Sequence, residues 1–507
     1  MGTNEQRFDH VVIGAGASGC AVAARLTERS GATVLLLEAG GPATNPAIAE
    51  PGRLAEIWGS DLDWKITTSP QPGLGGRQVL INQGRVIGGS TAINALMWVR
   101  GNRRNFDSWS ADGAAGWGYD DLLPYFQRVE DYTGRGTEGR GRGGPISVVD
   151  NPDPASSSQP FLTAAVEIGY DGPAWDYNGS RQEDGAGLLQ FSMTPGGSRV
   201  TSTAYLDLVR GRPGLTVATG AEVSRLVFDG SRVTGVEYRS GNETHVVGVD
   251  REVIVSAGAL ATPRILLLSG IGPEADLRAL GIPVVSDLPG VGANLRDHLQ
   301  MPVVFAATGP MPTPELLTGN ALFVNTRRDR AGAAPDLQLN FTPAVARPLV
   351  PILNIPIPVG IFLPIMVQPD SAGSVRLGSA DPSRPAIVDP NYLGSPADLA
   401  TMVAAVGLIR EMVATAAMRD VYRGAVVPAA DADIEAYTRA NAVTLWHPAG
   451  TCRIGSDSLA VVDSALRVRG VDGLRVADAS VMPNVPSGNT QAACYVIGEK
   501  AADLILA

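Results

Sequence analysis

The stretch "GAGASG", residues 14–19, limits what this chain can fold into more than any other segment. Before it, Asp9, His10, Val11, Val12 and Ile13 read as a short buried strand. After it, "CAVAARLTERSG" has helical spacing and stops at Gly31. "ATVLLLEAGG" then reads as a second strand with Glu38 at its end. Strand, glycine turn, helix and strand within about 30 residues make a βαβ unit, the building block of a parallel sheet. Each glycine has a mechanical task. Gly14 permits the tight turn, Gly16 lets the backbone approach a pyrophosphate, and Gly19 lets the helix lie on the strand. Phosphates would then sit at the positive end of the helix. Glu38 can accept hydrogen bonds from both hydroxyls of a ribose, and a carboxylate there disfavours a 2′-phosphate. The motif predicts a dinucleotide site without separating FAD from NAD.

Composition narrows the remainder. At 507 residues there is length for two or more domains, and 44% hydrophobic with 18% charged residues excludes disorder over most of the chain. A net charge of −11 argues against a nucleic-acid partner. Lys65 and Lys500 are the only lysines, which leaves little room for a P-loop lysine or a pyridoxal Schiff base. Cys20, Cys452 and Cys494 form no C-x-x-C pair, which argues against a disulfide framework, a redox dithiol and a cysteine metal site. The N-terminus has no basic region ahead of an apolar core, so a cytoplasmic location is expected. The apolar run 349–367 is interrupted by Pro351, Pro356, Pro358 and Pro364, which argues against a membrane helix. It reads as an apolar loop feeding a buried strand; the sharper alternative is a hydrophobic wall at a substrate entrance. "PDLQLNF", 335–341, alternates in period two as a half-buried strand would. "GRGTEGRGRGG", 134–144, has the composition of a plain surface loop.

Three further segments extend the glycine motif. They are "GRVIGGSTAINALMWVRG" at 84–101, "GALATPRILLLSGIG" at 258–272 and "GLRVADASVMPNVPSGNTQAACYVIGEKAADLI" at 473–505. Together the four stretches resemble the glucose–methanol–choline family of FAD-dependent oxidoreductases, from about residue 8 to the C-terminus. The resemblance implies an α/β chain, α+β overall. A Rossmann-like FAD domain would take residues 1–155, 205–297 and 462–507. A substrate domain, an antiparallel sheet backed by helices, would take 156–204 and 298–461. Carried over by position, Gly14, Ala15, Gly16, Ala17, Ser18 and Gly19 form the phosphate turn, with Glu38 and Ala39 at the ribose. Arg85, Val86, Gly89, Ser90, Asn94, Ala95 and Leu96 lie along the pyrophosphate and flavin. Val223 contacts the adenine, and Ala257, Trp446, Asp478, Ala479 and Thr490 complete the cofactor set. Asp478 is also a candidate helix N-cap. Some members attach FAD through a histidine just before the asparagine of the second segment; this chain has Ile93 there, so a non-covalent flavin is expected.

In the family, the segment "WHPAGTCRIG" supplies the catalytic base, and His447 matches it. Oxidising an alcohol removes a hydroxyl proton and a hydride; flavin N5 takes the hydride, and an imidazole of ordinary pKa near 6.5 suits the proton. The other three histidines have no such context. His10 starts the first strand, His245 lies in a polar hairpin-like turn, and His298 in "NLRDHLQ" is beside the first domain crossing. Asn489 matches the family's second active-site position, where it would orient the hydroxyl; its plainer reading is a cap on the terminal helix. His447 with Asn489 resembles the choline, aryl-alcohol-like and hydroxymethylfurfural oxidase branches. The resemblance therefore implies oxidation of a primary alcohol, aryl or medium-chain aliphatic, to an aldehyde, with oxygen or another electron acceptor. The alternatives are an FAD-containing hydroxynitrile lyase and a dehydrogenase that uses a non-oxygen acceptor. No metal, nucleic acid or transmembrane segment is implied.

Overall fold

β1 (Arg7–Ile13), α1 (Ala17–Ser30) and β2 (Val34–Glu38) form the unit that the glycine motif predicts. The computed structural model describes residues 6–136, 138–172, 175–180, 182, 184–327, 332–353 and 355–507. β1 runs parallel to β2 on one side and to Glu243–Val255 on the other. All five residues of β2, "VLLLE", are buried, as a parallel strand covered on both faces requires. A side chain at Gly14 (φ +100°) would place its Cβ 2.4 Å from the Ser256 carbonyl oxygen, and one at Gly19 would lie 1.9 Å from that of Gly14. These two glycines are therefore needed for backbone contact.

The first sheet runs in the order Ala221–Asp229, Arg232–Ser240, Glu243–Val255, β1, β2, Leu215–Thr219, with Leu474–Val476 also paired to Glu243–Val255. The last helix, Gln491–Leu506, lies against α1, where Ser18 Oγ donates to the Cys494 carbonyl at 2.6 Å. Segments almost 500 residues apart in sequence thus meet at the glycine turn.

The second sheet is antiparallel, in the order Tyr422–Val427, Val303–Ala307, Val359–Met366, Leu337–Thr342, Asn320–Val324, Gly185–Leu188. Leu299–Gln300 joins it against Val359–Met366 and pairs with Val443–Thr444. Helices Gln159–Glu167 and Pro396–Ala414 back one face, through Phe161, Met402, Val406 and Ile409 packed with Leu339, Phe341 and Phe362. The strand at 335–341, expected to be half-buried, is buried on both faces. All six residues of Leu337–Thr342 are buried, because the strand is central in its sheet and its polar face, Gln338 and Asn340, also points into protein.

The 349–367 run is a loop followed by the buried strand Val359–Met366. Pro364 pairs with Leu339 on one side and on the other falls opposite the break between Leu299–Gln300 and Val303–Ala307. Val350, Ile352 and Ile357 of the loop are exposed. Among the described residues no helix is long and apolar enough to cross a membrane. The glycine–arginine segment 134–144 is more than a surface loop: Arg140 is buried and ion-paired with Glu130, which also holds Arg100. His245 belongs to the strand Glu243–Val255, its ring stacked on Tyr238 at 5.2 Å, rather than to the turn before it.

Candidate active site

A cavity of ≈ 790 Å³ extends from the turn between β1 and α1 to His447 and Asn489. At its first end, Gly16 occupies the N-cap of α1, with no side-chain cap and no acidic residue in the first turn. The free N–H groups of that turn face the cavity, where Gly16, Ala17 and Ser18 form the wall. A Cβ built on Gly16 meets nothing within 4 Å; it would project into the space that a phosphate group needs. Glu38 closes this end. Its Oε2 accepts from Ala15 N at 2.9 Å and its Oε1 from Gly40 N at 2.7 Å. Burial pushes this carboxyl up, and the two N–H bonds oppose that. Each oxygen keeps lone pairs for a ribose hydroxyl. Ala39 and Val223 continue the wall.

In the middle of the cavity, Gly89, Ser90, Asn94, Ala95 and Leu96 line one side. Ala257, Asp478, Ala479 and Thr490 line another. Asp478 Oδ1 accepts from Ser480 N, and Oδ2 accepts from Gly258 N and Thr262 Oγ1, so it caps a short turn and ties two segments together. Asp478 is thus the N-cap of the short 3-10 helix Ala479–Val481, whereas Asn489 does not cap the last helix, whose N-cap position is Thr490. Asn94 Oδ1 accepts from Leu96 N and from Arg199, and its Nδ2 donates to Gln491. Arg199 is buried with carbonyl and amide partners only, and burial lowers its pKa to about 9. Four residues expected at the cofactor stand behind the wall. Ala15 presents its N–H to Glu38, Gly19 packs on Gly14, Val86 is buried in an apolar cluster, and the Arg85 guanidinium lies 5.0 Å from the Trp64 ring centroid.

Several buried polar atoms on the wall have no protein partner: Ser256 Oγ, Trp446 Nε1 and Asn489 Oδ1. Orphaned groups of this kind, with an uncapped helix N-terminus and an acidic ribose acceptor, fit a long polar ligand such as FAD. Ile93 is buried on the same wall, and its apolar side chain offers no atom for a bond to a flavin.

His447 stands at the far end. It follows Trp446, which has a left-handed φ of 62° and lies 5.3 Å from the Trp58 ring. A bulky residue in that conformation costs roughly 1–3 kcal/mol and persists only where its surroundings fix it. Asp297 does the fixing. Its Oδ1 accepts from His447 N at 2.8 Å, and its Oδ2 accepts from the hydroxyls of Thr444 and Tyr392. Burial raises the Asp297 carboxyl to about 6 in spite of these bonds. His447 Nε2 lies 3.2 Å from Asn489 Nδ2, and its Nδ1 lies 2.9 Å from His298 Nδ1. Enclosure lowers the His447 pKa to about 3, so the ring is neutral over the physiological range rather than titrating near 6.5. The wall also includes Met97, Leu317, Leu363, Thr318, Gln300 and Asn340.

The structure therefore gathers His447, Asn489 and most of the expected cofactor residues around one cavity. Cys452 is buried and off that wall. Sequence reading missed His298, Asp297, Arg199, Gln300 and Asn340. The one available signal was the buried amide alternation of "LQLNF", read there as a solvent face.

Residues 8–300 match the N-terminal model of the GMC oxidoreductases, and residues 369–498 match the C-terminal one. An uncharacterised GMC-type oxidoreductase of Mycobacterium bovis is 38% identical over 536 residues, covering 99% of each chain. An oxygen-dependent choline dehydrogenase of Ectopseudomonas mendocina is 36% identical over 538 residues, covering 98% of this chain and 94% of the relative. The crystal structure of a pyridoxine 4-oxidase from Mesorbium loti superposes with a TM-score of 0.90 at 32% identity, covering 98% of each chain. The chain belongs to the GMC oxidoreductase family: it is an enzyme that binds FAD and acts on CH–OH groups.

Proposed function

We propose that this enzyme oxidises an uncharged primary alcohol, aryl or medium-chain aliphatic, to the aldehyde, with His447 as the base. One observation carries the reading: a neutral imidazole nitrogen, His447 Nε2, beside the Asn489 amide at the end of the cofactor cavity. An alcohol oxygen that displaces the direct 3.2 Å contact between these two groups would give its proton to Nε2 and accept a hydrogen bond from Asn489 Nδ2. Bound FAD supplies the hydride acceptor for the carbon. Asn489 cannot take a proton at neutral pH, so its part is to orient the hydroxyl and stabilise the alkoxide.

The substrate wall supports an uncharged molecule. Met97, Leu317 and Leu363 are apolar, and Gln300, Thr318 and Asn340 are polar without charge. The wall's carboxylates are Glu38, Glu222 and Asp478, and they belong to the strand ends and turns of the nucleotide half. Among the described residues, a quaternary ammonium group would meet no carboxylate on the wall beside His447, since Asp297 lies off the wall with its oxygens taken by His447 N, Thr444 and Tyr392. Free sugars would have few hydroxyl partners against the three apolar residues.

For the cofactor, the reading assigns the ribose to Glu38, the phosphates to the turn at Gly14–Ser18, and the adenine to Val223. Gly89, Ser90, Asn94, Ala95 and Leu96 would flank the flavin, with Ala257, Trp446, Asp478, Ala479 and Thr490. The FAD unit would comprise 1–155, 205–297 and 462–507, which contain every strand of the first sheet. The substrate unit would comprise 156–204 and 298–461, which contain every strand of the second. FAD would be held without a covalent bond, since Ile93 occupies the attachment position.

Anaerobic mixing of the yellow holoenzyme with a panel of alcohols tests this reading. Neutral benzylic or medium-chain primary alcohols should bleach the flavin faster than choline or glucose. Faster bleaching by choline or glucose would refute the substrate class. Readmitting air then sorts the acceptor: rapid return of colour marks an oxidase, and slow return marks a dehydrogenase.

A further inference from the structure

His298 is buried in the second sheet's connection, 149 residues before His447 in sequence, yet their rings meet edge to face at 5.1 Å. Two backbone carbonyls, of Val367 and Pro486, act on the His298 ring as acceptors, and the Val367 contact sets the placement of protons. His298 Nε2 lies 3.1 Å from the Val367 carbonyl oxygen, which can only accept. That nitrogen therefore carries the proton, and in the neutral ring Nδ1 is bare. The 2.9 Å contact between the two Nδ1 atoms needs one proton, and only His447 can supply it. His447 Nε2 is then bare and faces the N–H of Asn489 at 3.2 Å, a donor against an acceptor. The reverse placement sets a lone pair against the Val367 oxygen.

We propose that His298 is a positioning residue that holds His447 in the Nδ1–H tautomer, which leaves Nε2 bare for an alcohol hydroxyl that displaces the Asn489 N–H now facing it. The assignment rests on the alcohol-oxidation reading for its use, though not for its geometry. The tautomer decides whether the base works. The O–H bond of the alcohol breaks, its electron pair stays on oxygen and its proton forms a new N–H bond at Nε2; bound FAD would supply the acceptor for the hydride that the carbon gives up as the carbonyl forms. In the other tautomer Nε2 already carries a proton and has no lone pair to offer. After transfer, both N–H groups of the imidazolium have acceptors: His298 Nδ1 on one side and the alkoxide on the other. Val367, which follows the strand Val359–Met366, thereby fixes the state of a side chain it does not touch.

The test uses FAD-loaded holoenzyme with nitrogen-15 in its histidine rings. The chain has only four histidines, so single His variants assign every signal. Wild type should show His447 protonated at Nδ1 and bare at Nε2, and His298 protonated at Nε2. His298→Leu removes the acceptor; His447 should then populate both tautomers, and flavin reduction by alcohol should slow by about 10²-fold, because a misplaced imidazole proton can cost up to ~10⁴. His298→Asn keeps an acceptor oxygen near the Nδ1 position and should hold the tautomer and stay within about tenfold of wild type. His447 protonated at Nε2 in wild type would overturn the proposal. So would an unchanged His447 tautomer in His298→Leu. If His298→Leu fails to fold or to bind FAD, the wild-type spectrum and His298→Asn still decide. A wild-type Nδ1–H signal in an enzyme that no alcohol reduces would sink the alcohol reading while sustaining this one.

Discussion

At the scale of single residues, the clearest contrast lies between glycines of one motif. Gly16 has open space where a Cβ would go, whereas Gly19 has the Gly14 carbonyl oxygen at 1.9 Å. Gly16→Ala should leave the apoprotein's unfolding unchanged and weaken FAD. Crowding a packed contact costs about 1–3 kcal/mol, so the dissociation constant should rise about tenfold or more, as flavin fluorescence titration would measure. Gly19→Ala should destabilise the chain itself, read as a fall in melting temperature with or without FAD. Asn489→Ala removes a neutral hydrogen bond and should slow flavin reduction less than His447→Ala does, which stopped-flow traces compare directly. The glycines and His447 were legible in sequence because each sits in a local pattern with one mechanical reading. His298 was not. Nothing in "NLRDHLQ" encodes a partner 149 residues away, and only the pairing of Leu299–Gln300 with Val443–Thr444 brings the two rings together.

Elements carry the wall of the site into place. Trp98 to Arg100 follow the cavity residues Leu96 and Met97, and a buried carboxylate pins them. Glu130 accepts from Arg100 at 2.6 and 2.8 Å, from Arg140 at 3.1 Å and from Trp98 Nε1 at 2.6 Å. Burial alone would push this carboxyl up, but the two guanidiniums outweigh it and hold it at about 2, against an ordinary 4.5. A depressed carboxyl stabilises the fold fully above the ordinary value and loses that contribution as the pH falls through the depressed one. Glu130→Gln should therefore destabilise by about 3–5 kcal/mol at pH 7, as for a broken buried pair. In urea titrations the gap from wild type should narrow between pH 4.5 and 2. A gap that stays constant over that window would show that the ion pair is not its source. Sequence reading took Arg140 for a loop residue because glycine-rich composition reports backbone freedom and says nothing of where one side chain turns. It took "LQLNF" for a half-exposed strand because period two distinguishes two faces without saying that the polar one looks into a cavity.

Over the whole molecule, the N-terminal turn, the middle of the chain and the last helix all border one cavity, so the cofactor should act as a staple. A ligand present at 100 times its dissociation constant stabilises by about 2.7 kcal/mol, and removing FAD should lower the melting temperature accordingly. Acid or heat precipitation should release free FAD to the supernatant; yellow colour left on the precipitate would contradict a non-covalent site with Ile93 at its wall. The fold class was readable because a βαβ unit and its companion segments admit few topologies, while the division of labour inside the cavity depended on strand register that no local pattern carries. The account's central claim is that a neutral His447 is the proton acceptor. Anaerobic single-turnover reduction of wild type and His447→Ala by a neutral primary alcohol, followed by flavin absorbance from pH 5 to 9, tests it most directly. With an imidazole held near a pKa of about 3, the wild-type rate should be flat across that range. His447→Ala should retain FAD and be slower at every pH by roughly 10²- to 10⁴-fold. A His447→Ala enzyme that reduces at close to the wild-type rate, or a climb through pH 6 to 7 that His447→Ala keeps, would contradict it.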